Sequence, residues 1–257
     1  MAEEILCSID NGIATITMNR PEKRNAMNTA VLDGLEHYFG ELENNTDVRV
    51  VVIRGEGRAF CSGLDLRELS ARQQGEGDIE TGIIELLKKI EESRHPTIAM
   101  VQGDALAGGC ELALHCDLRV VSEAARFGMP LARLGLVVPF RLGQKLVEVI
   151  GPAFTKQILF TGQPIDAQRA YEIGMVNQLV SAEELESATM TLAQTIALNA
   201  PLSLAGMKKG ILRMISLRNS IEHKDIQTLV RQARKSQDAK EGVRAMLEKR
   251  KPVFRGA

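Results

Sequence analysis

Thr97–Val121 reads TIAMVQGDALAGGCELALHCDLRVV, and the change of pattern within it decides the fold class. Thr97 to Val101 is a short apolar run of strand character. A glycine-bearing loop from Gly103 leads into Gly108–Cys116, whose small apolar residues suit a packed helix. Leu118–Val121 reads as the next strand. Strand, loop, helix and strand in succession predict a crossover between parallel strands, and so an α/β fold.

The same unit is legible upstream. Val48 to Ile53 is nearly continuous and β-branched, as expected for a strand covered on both faces. The loop Arg58–Leu66 follows it. Arg67 to Arg94 is helical in pattern but interrupted by Gly75-Glu76-Gly77, which reads as a lid over a site. At the start of the chain, Ile5–Ile9 and Ile13–Thr17 alternate like strands of a hairpin closed by Asp10-Asn11-Gly12. Asn28-Thr29 caps a helix with apolar positions at Val31, Leu32, Leu35, Tyr38, Phe39 and Leu42. Beyond Phe140 the chain turns helical, with starts at Pro152, Asp166, Ser181/Glu184 and Pro201. Met175–Val180 is the single strand expected there. The expected division is a core over residues 1–195 and a helical region over 196–257. Ile211, Leu212, Ile215, Leu217, Ile221, Ile226, Leu229 and Val230 exceed what that region needs internally, so it is expected to pack on another subunit.

Composition removes several function classes. The 257 residues carry 32 Lys+Arg against 33 Asp+Glu, so the basic excess of a nucleic-acid binder is missing. Aromatics are 4% with no Trp, which leaves little for base stacking. No apolar run approaches the roughly 20 residues of a membrane span. The acidic Glu3-Glu4 pair replaces the basic start of a signal peptide. Four cysteines without CxxC spacing fit a reduced, cytoplasmic protein. No GxSxG, GxxxxGK[ST] or HExxH motif occurs. Cys110, His115 and Cys116 crowd one short apolar helix, which suits core packing better than a metal site, so no metal is expected.

Two glycine-bearing loops remain, Arg58–Leu66 and Gly103–Glu111. Gly63 and Gly108-Gly109 allow close backbone approach to a ligand. Gly108 also opens a helix whose free N–H groups suit a developing oxyanion. These glycines suit tight turns and close helix packing equally well, and the residues alone leave both readings open.

Asn19-Arg20-Pro21, Arg24–Asn28, Ala59–Leu66, Gly103–Ala113, Thr161-Gly162, Ala167–Ala170 and Glu248–Phe254 together resemble the crotonase superfamily, the enoyl-CoA hydratase/isomerase group. The likeness runs in order over essentially the whole chain. It implies a ββα superhelix with a helical C-terminal oligomerisation region, assembled as a homotrimer or a dimer of trimers. It also implies acyl-CoA thioester substrates, with coenzyme A part of the substrate and no separate cofactor. Carried over by position, Leu64 and Gly108 supply the N–H groups that hold an enolate oxygen. Arg24, Ala26, Ala59, Ser62, Asp65 and Leu66 fall at CoA-contacting positions, and Lys249 at one that reaches a neighbouring subunit's CoA.

Hydratases of the group use two glutamates. The first matches Glu111, whereas the position of the second holds Leu131, which cannot transfer a proton. The following run, Leu136–Leu142, resembles the isomerases of the group, yet those rely on a glutamate at the Leu131 position. The expectation is therefore an enoyl-CoA hydratase or isomerase with Glu111 as general acid/base. The alternatives are an acyl-CoA decarboxylase, hydrolase or lyase, and a non-catalytic acyl-CoA-binding subunit. His115, one helical turn beyond Glu111, is either a second proton carrier or a packed core residue. Arg133 and Arg141 flank the altered segment, as carboxylate binders or as surface charges.

Overall fold

The computed structural model describes residues 3–68, 79–216 and 224–255. Strands β1 (Ile5–Asp10) and β2 (Ile13–Met18) form the expected antiparallel hairpin. Asn11 and Gly12 take φ of 50° and 78° at its turn, the left-handed pair that an Asn-Gly sequence favours. β3 (Val50–Gly55), β5 (Thr97–Val101), β7 (Leu118–Ser122) and β10 (Gln178–Val180) continue the sheet in the order β1-β2-β3-β5-β7-β10, every pair after the first being parallel.

Both faces of this sheet are covered, which is why β3 reads as one β-branched run. Val51 and Ile53 face the main core with α1 (Thr29–Leu42), α2 (Ile79–Glu92) and α3 (Gly108–His115). Val50 and Val52 face the opposite way, toward Leu185 and Ala193 of α6 (Leu185–Ala197). Burying each of these Val, Ile and Leu side chains contributes about 1.5–3 kcal/mol of transfer free energy. At the head of α1, Asn28 Oδ1 accepts from Val31 N at 2.9 Å, the expected cap.

A second, smaller sheet has the order β4-β6-β8-β9, from Ala59–Cys61, Asp104–Leu106, Arg126–Gly128 and Ile165–Asp166. Three successive turns of chain each place one strand in the large sheet and the next in the small one, then a helix: β3-β4-α2, β5-β6-α3, and β7-β8 followed by α4 (Phe140–Thr161). This is the ββα spiral that the resemblance implies.

The sequence reading needs four corrections. The segments Arg58–Leu66 and Gly103–Glu111, read as loops, each contain a three-residue strand of the small sheet. β3 starts at Val50 and not at Val48, because the N–H groups of Arg49 and Val50 both turn to Gly12 O. The strand expected over Met175–Val180 is only Gln178–Val180. Met175 N is spent on Ala170 O, closing the helix α5 (Ala167–Glu172). Finally, Ile165–Asp166 is a second strand beyond Phe140, where a single one was expected; Pro152 does open a helical segment, the second of α4, after Gly151 breaks the helix at φ 71°, ψ 168°. Asp166 caps α5 as expected, its Oδ1 accepting from Arg169 N at 2.7 Å. Ser181 and Glu184 exchange reciprocal bonds one turn ahead of α6.

The chain ends in α7 (Pro201–Ser216), α8 (Lys224–Lys235) and α9 (Gln237–Leu247). Lys208 ties α7 to the core, its Nζ donating to Asp117 Oδ2 at 2.7 Å and to His95 O at 3.1 Å. α9 lies on the 3-10 turn Pro130–Leu134, with Gly242 against the Leu134 backbone. Leu198, Leu202, Met207, Ile211, Met214 and Leu229 are exposed on these helices or just before them. Leu217, Ile221 and the Gly75-Glu76-Gly77 interruption lie outside the described residues. Among the described residues, no helix is long and apolar enough to cross a membrane.

Candidate active site

Residues 24–28, 61–66 and 104–111 converge beside the small sheet. The first two join through a single parallel bridge between Met27 and Leu64. Ser62 N donates to Arg24 O at 3.0 Å, Met27 N to Gly63 O at 2.8 Å and Asp65 N to Met27 O at 2.9 Å. Arg20 supports the junction from behind, with its guanidinium on Ala26 O and 3.5 Å from Asp65 Oδ2. Arg24 is exposed, in a left-handed conformation with φ 52°.

Asn25 fixes the same junction from within. It is fully buried and left-handed, with φ 53°. Its Oδ1 accepts from Arg20 N at 2.9 Å, and its Nδ2 donates to Glu56 O at 2.9 Å and Ala59 O at 2.8 Å. One side chain therefore sets the spacing between the Arg24 turn and β4.

The third segment meets the second at its glycines. A Cβ added to Gly63 would sit 2.9 Å from Ala107 Cβ and 3.2 Å from Gly108 N. One added to Gly109 would lie 2.1 Å from Cys61 O, so α3 can press its first turn on β4 only because that position has no side chain. Several backbone amides are left over at this contact, those of Leu64 and Gly108 among them. Gly63 N points to Cys61 Sγ at 3.4 Å and Asp65 N to Met27 O, but the Leu64 amide between them has no acceptor among the described residues. The Gly108 amide, first in α3, has none there either. A helix start normally leaves such donors free, and they suit an anionic oxygen.

Glu111 stands one turn into α3. It is fully buried, and neither carboxyl oxygen has a hydrogen-bond partner among the described residues. Burial pushes its carboxyl well above the usual carboxylate range, and the Lys145 cation offsets only part of that. His115 Nδ1 lies 3.7 Å from Glu111 Oε2, within ion-pair distance. The same nitrogen is 2.8 Å from Glu111 O, and because a carbonyl only accepts, the ring proton sits on Nδ1. Burial lowers the His115 pKa to about 4. Burial thus disfavours the charged form of both groups, and one 3.7 Å approach with no further hydrogen bonds does not repay desolvating both charges.

The structure thus joins Arg24, Ala26, Ala59, Ser62, Leu64 and Asp65 to the Gly108–Glu111 turn through a continuous set of contacts. Leu66 is half-buried just beyond. Leu131 packs against the main core. Lys249 is exposed in the turn after α9, and no bond among the described residues links it to Arg24 or to 59–66. Arg133 and Arg141 are exposed, and Arg133 lays its methylenes against Gly162.

Three contributors were not singled out as site residues in the sequence. Lys145 pairs with Glu91 at 2.5 Å between α4 and α2, and 54 residues of separation hide such a pair. Asn25 sits inside a quoted motif, but its role lies in bonds to distant carbonyls. Ala107 has no sequence signal at all, because its significance is its backbone conformation.

A family model described as enoyl-CoA hydratase/isomerase matches residues 8–257. A short-chain-enoyl-CoA hydratase of Clostridium acetobutylicum is 34% identical over 257 residues, covering 96% of this chain and 95% of its own. A crotonyl-CoA hydratase of Syntrophomonas wolfei is 34% identical over 261 residues, covering 98% of each. Among solved structures, methylmalonyl-CoA decarboxylase in complex with 2-nitronate-propionyl-CoA superposes with a TM-score of 0.90 at 29% identity, covering 98% of both chains. Family model, relatives and fold agree over essentially the full length, and the chain belongs to the enoyl-CoA hydratase/isomerase family of the crotonase superfamily.

Proposed function

We propose that this protein acts on an acyl-CoA thioester, holding the enolate oxygen between the N–H groups of Leu64 and Gly108 while Glu111 handles the proton. The reading is supported by one juxtaposition: two unspent backbone amides at the Gly63–Gly108 contact, one helical turn from an orphaned buried carboxyl. As a thioester loses a proton or a carboxyl group from its α-carbon, charge moves onto the carbonyl oxygen. Donors already in place there stabilise that charge without reorganisation. Arg24 meets the CoA phosphates, Ala26, Ala59, Ser62, Asp65 and Leu66 line its path, and Leu131 supplies apolar wall. In this reading Lys249 reaches the CoA of a neighbouring copy in a homotrimer or a dimer of trimers, and the exposed apolar residues of α7 support that assembly.

The number of acid/base groups limits the reaction. Hydration needs one group to activate water and another to protonate the α-carbon, and Leu131 removes the second. Isomerisation of an enoyl thioester needs one carboxyl, which takes a proton from one carbon and returns it to another. Isomerase-type proton transfer fits this count of groups, with Glu111 ionised at the moment it takes the first proton.

A second reading is favoured by the burial of Glu111 without a hydrogen-bond partner among the described residues, which raises its pKa and so favours the neutral acid. Decarboxylation of a malonyl-type thioester breaks the bond from the α-carbon to the carboxylate, releases CO2 and leaves the electron pair in the enolate. One proton on the α-carbon then completes the reaction, and a neutral Glu111 holds that proton. The solved relatives bound to 2-nitronate-propionyl-CoA and 2S-carboxypropyl-CoA are methylmalonyl-CoA decarboxylases, at TM-scores of 0.90.

The test offers 3-enoyl-CoA, crotonyl-CoA and methylmalonyl-CoA separately, following enoyl absorbance and CO2 release. Gain of conjugated enoyl absorbance supports isomerisation, and CO2 release supports the second reading. Glu111→Gln is expected to lower kcat about 10²–10⁴-fold with acyl-CoA affinity retained. Unchanged turnover in that variant removes Glu111 from the mechanism.

A further inference from the structure

Ala107 occupies an unusual backbone conformation. Its φ of 49° with ψ of −122° lies where glycine moves freely and an alanine Cβ is strained. Strain of this kind persists only where the surroundings over-determine it, and it clusters at functional sites. Here both ends of the residue are tied. Its N–H donates to Gly128 O in β8 at 2.8 Å, and its carbonyl accepts from Glu111 N at 3.1 Å. The methyl group faces Gly63, where an added Cβ would come within 2.9 Å of it.

Two glycines follow immediately, so a third at position 107 would fit the fold and remove the strain. An alanine there makes sense only if its stiffness or its methyl group contributes something. The next atom along the chain is the Gly108 nitrogen, whose direction is set by the ψ of Ala107. A glycine at 107 would let that peptide plane rock. A Cβ restricts the rocking, and the bonds to Gly128 and Glu111 lock what remains.

We propose that Ala107 is a positioning residue, held in a strained conformation so that the Gly108 amide, the Glu111 backbone and the Gly63 loop are fixed as one rigid unit. The proposal rests on the reading above, in which the Gly108 N–H faces the reacting oxygen. Ala107 touches no reacting atom in this scheme. It acts through the direction of its neighbour's N–H.

The opposite signs of two effects test it. In Ala107→Gly, relief of strain offsets the added freedom of the unfolded chain, so Tm stays level or rises by up to about 4 °C. A loosened amide donates less well in the transition state than in the ground state. The variant's kcat therefore falls about tenfold with KM within about twofold, against the 10²–10³-fold typical of losing an oxyanion donor outright. Ala107→Ser keeps a Cβ and is expected to retain kcat within about threefold of the parent. Amide exchange over residues 104–112 should quicken in the glycine variant alone, with the rest of the chain unchanged.

A glycine variant with parental kcat overturns the proposal. So does a lower Tm accompanying the lost activity, or a serine variant as impaired as the glycine one. If the parent protein turns over no thioester, the reading of the site fails by itself. The exchange measurement then still decides, because unchanged protection over 104–112 refutes a restraint by Ala107.

Discussion

Glu111→Gln removes a titration while keeping the volume of the side chain, and its main signature is a change in how stability depends on pH. Glu111 is fully buried with no hydrogen-bond partner for either oxygen among the described residues, and this burial raises its native pKa well above the ordinary carboxylate value. Above that ordinary value the unfolded chain has released a proton that the native protein still holds, so stability falls as pH rises. The slope is about 1.4 kcal/mol per pH unit, continuing until the native carboxyl itself ionises. His115 acts in the other direction. Its pKa falls from 6.5 to about 4 on burial, so below 6.5 the unfolded chain takes up a proton that the native ring refuses. Stability from this group is complete above pH 6.5 and is lost as pH falls toward 4, by about 3 kcal/mol in total. Between the ordinary carboxylate pKa and 6.5 the two slopes oppose each other, and the parent protein shows little net trend from this pair. In Glu111→Gln only the histidine slope remains. Urea denaturation of both proteins at half-unit steps from pH 5 to 8 isolates the carboxyl, because any constant effect of the amide cancels in the slope. The stability difference, variant minus parent, should climb by about 1.4 kcal/mol per pH unit and level off where native Glu111 ionises. A difference that stays flat from pH 5 upward refutes the reasoning. Glu111 would then be ionised in the folded protein, and neither its burial nor its role as proton holder would stand.

Gly109→Ala forces a Cβ to 2.1 Å from Cys61 O and 2.7 Å from Cys61 C, both backbone atoms, so α3 must lift from β4. Chemical denaturation should show a loss of about 3 kcal/mol or more, with activity lost in whatever remains folded. Asn25→Ala breaks three hydrogen bonds and leaves buried groups unpaired, a loss of about 2–4 kcal/mol by the same measurement. Asn25→Gly, which relieves φ but restores no bond, should recover less than half of it. Lys208→Met removes a cation that is 9% exposed and bonded to Asp117 and His95, and should cost about 1–3 kcal/mol. Arg126→Ala, at a rim pair whose arginine is 56% exposed, should cost less than about 1 kcal/mol despite an equal 2.7 Å contact.

The large sheet was legible because its signals are local. Thr97–Val101 ends where its apolar run ends, Asn11-Gly12 makes its own turn, and Asn28 caps α1 with its own side chain. The small sheet was hidden for the opposite reason. Its strands have two or three residues, too few for any period, and their partners are remote. Ala59 pairs with Asp104 and Arg126 with Asp166. Such strands exist only once the large sheet has brought their ends together. The same holds at Met175, where an apolar stretch of strand composition is claimed first by the end of α5.

The site divides along the same line. Gly63, Gly108 and Glu111 were readable by type and order, but what they do depends on facts that no spacing encodes. A glutamate in the first turn of a helix is normally satisfied by loop amides and kept ionised by the helix start. In α3 those amides are unspent and the carboxyl is unbonded, because every residue from Gly109 to His115 is buried and the side chain points into the core. The two readings of the sequence, a capping acid and a proton holder, differ in this, and burial without a partner among the described residues favours the second. With Leu131 in place of a second acid, desolvation is the main influence on Glu111 and raises its pKa, with Lys145 acting against it. In the function proposed above, the Leu64 and Gly108 amides accept charge on oxygen and Glu111 gives one proton to carbon. Chemistry that must also generate hydroxide needs a base this arrangement does not provide.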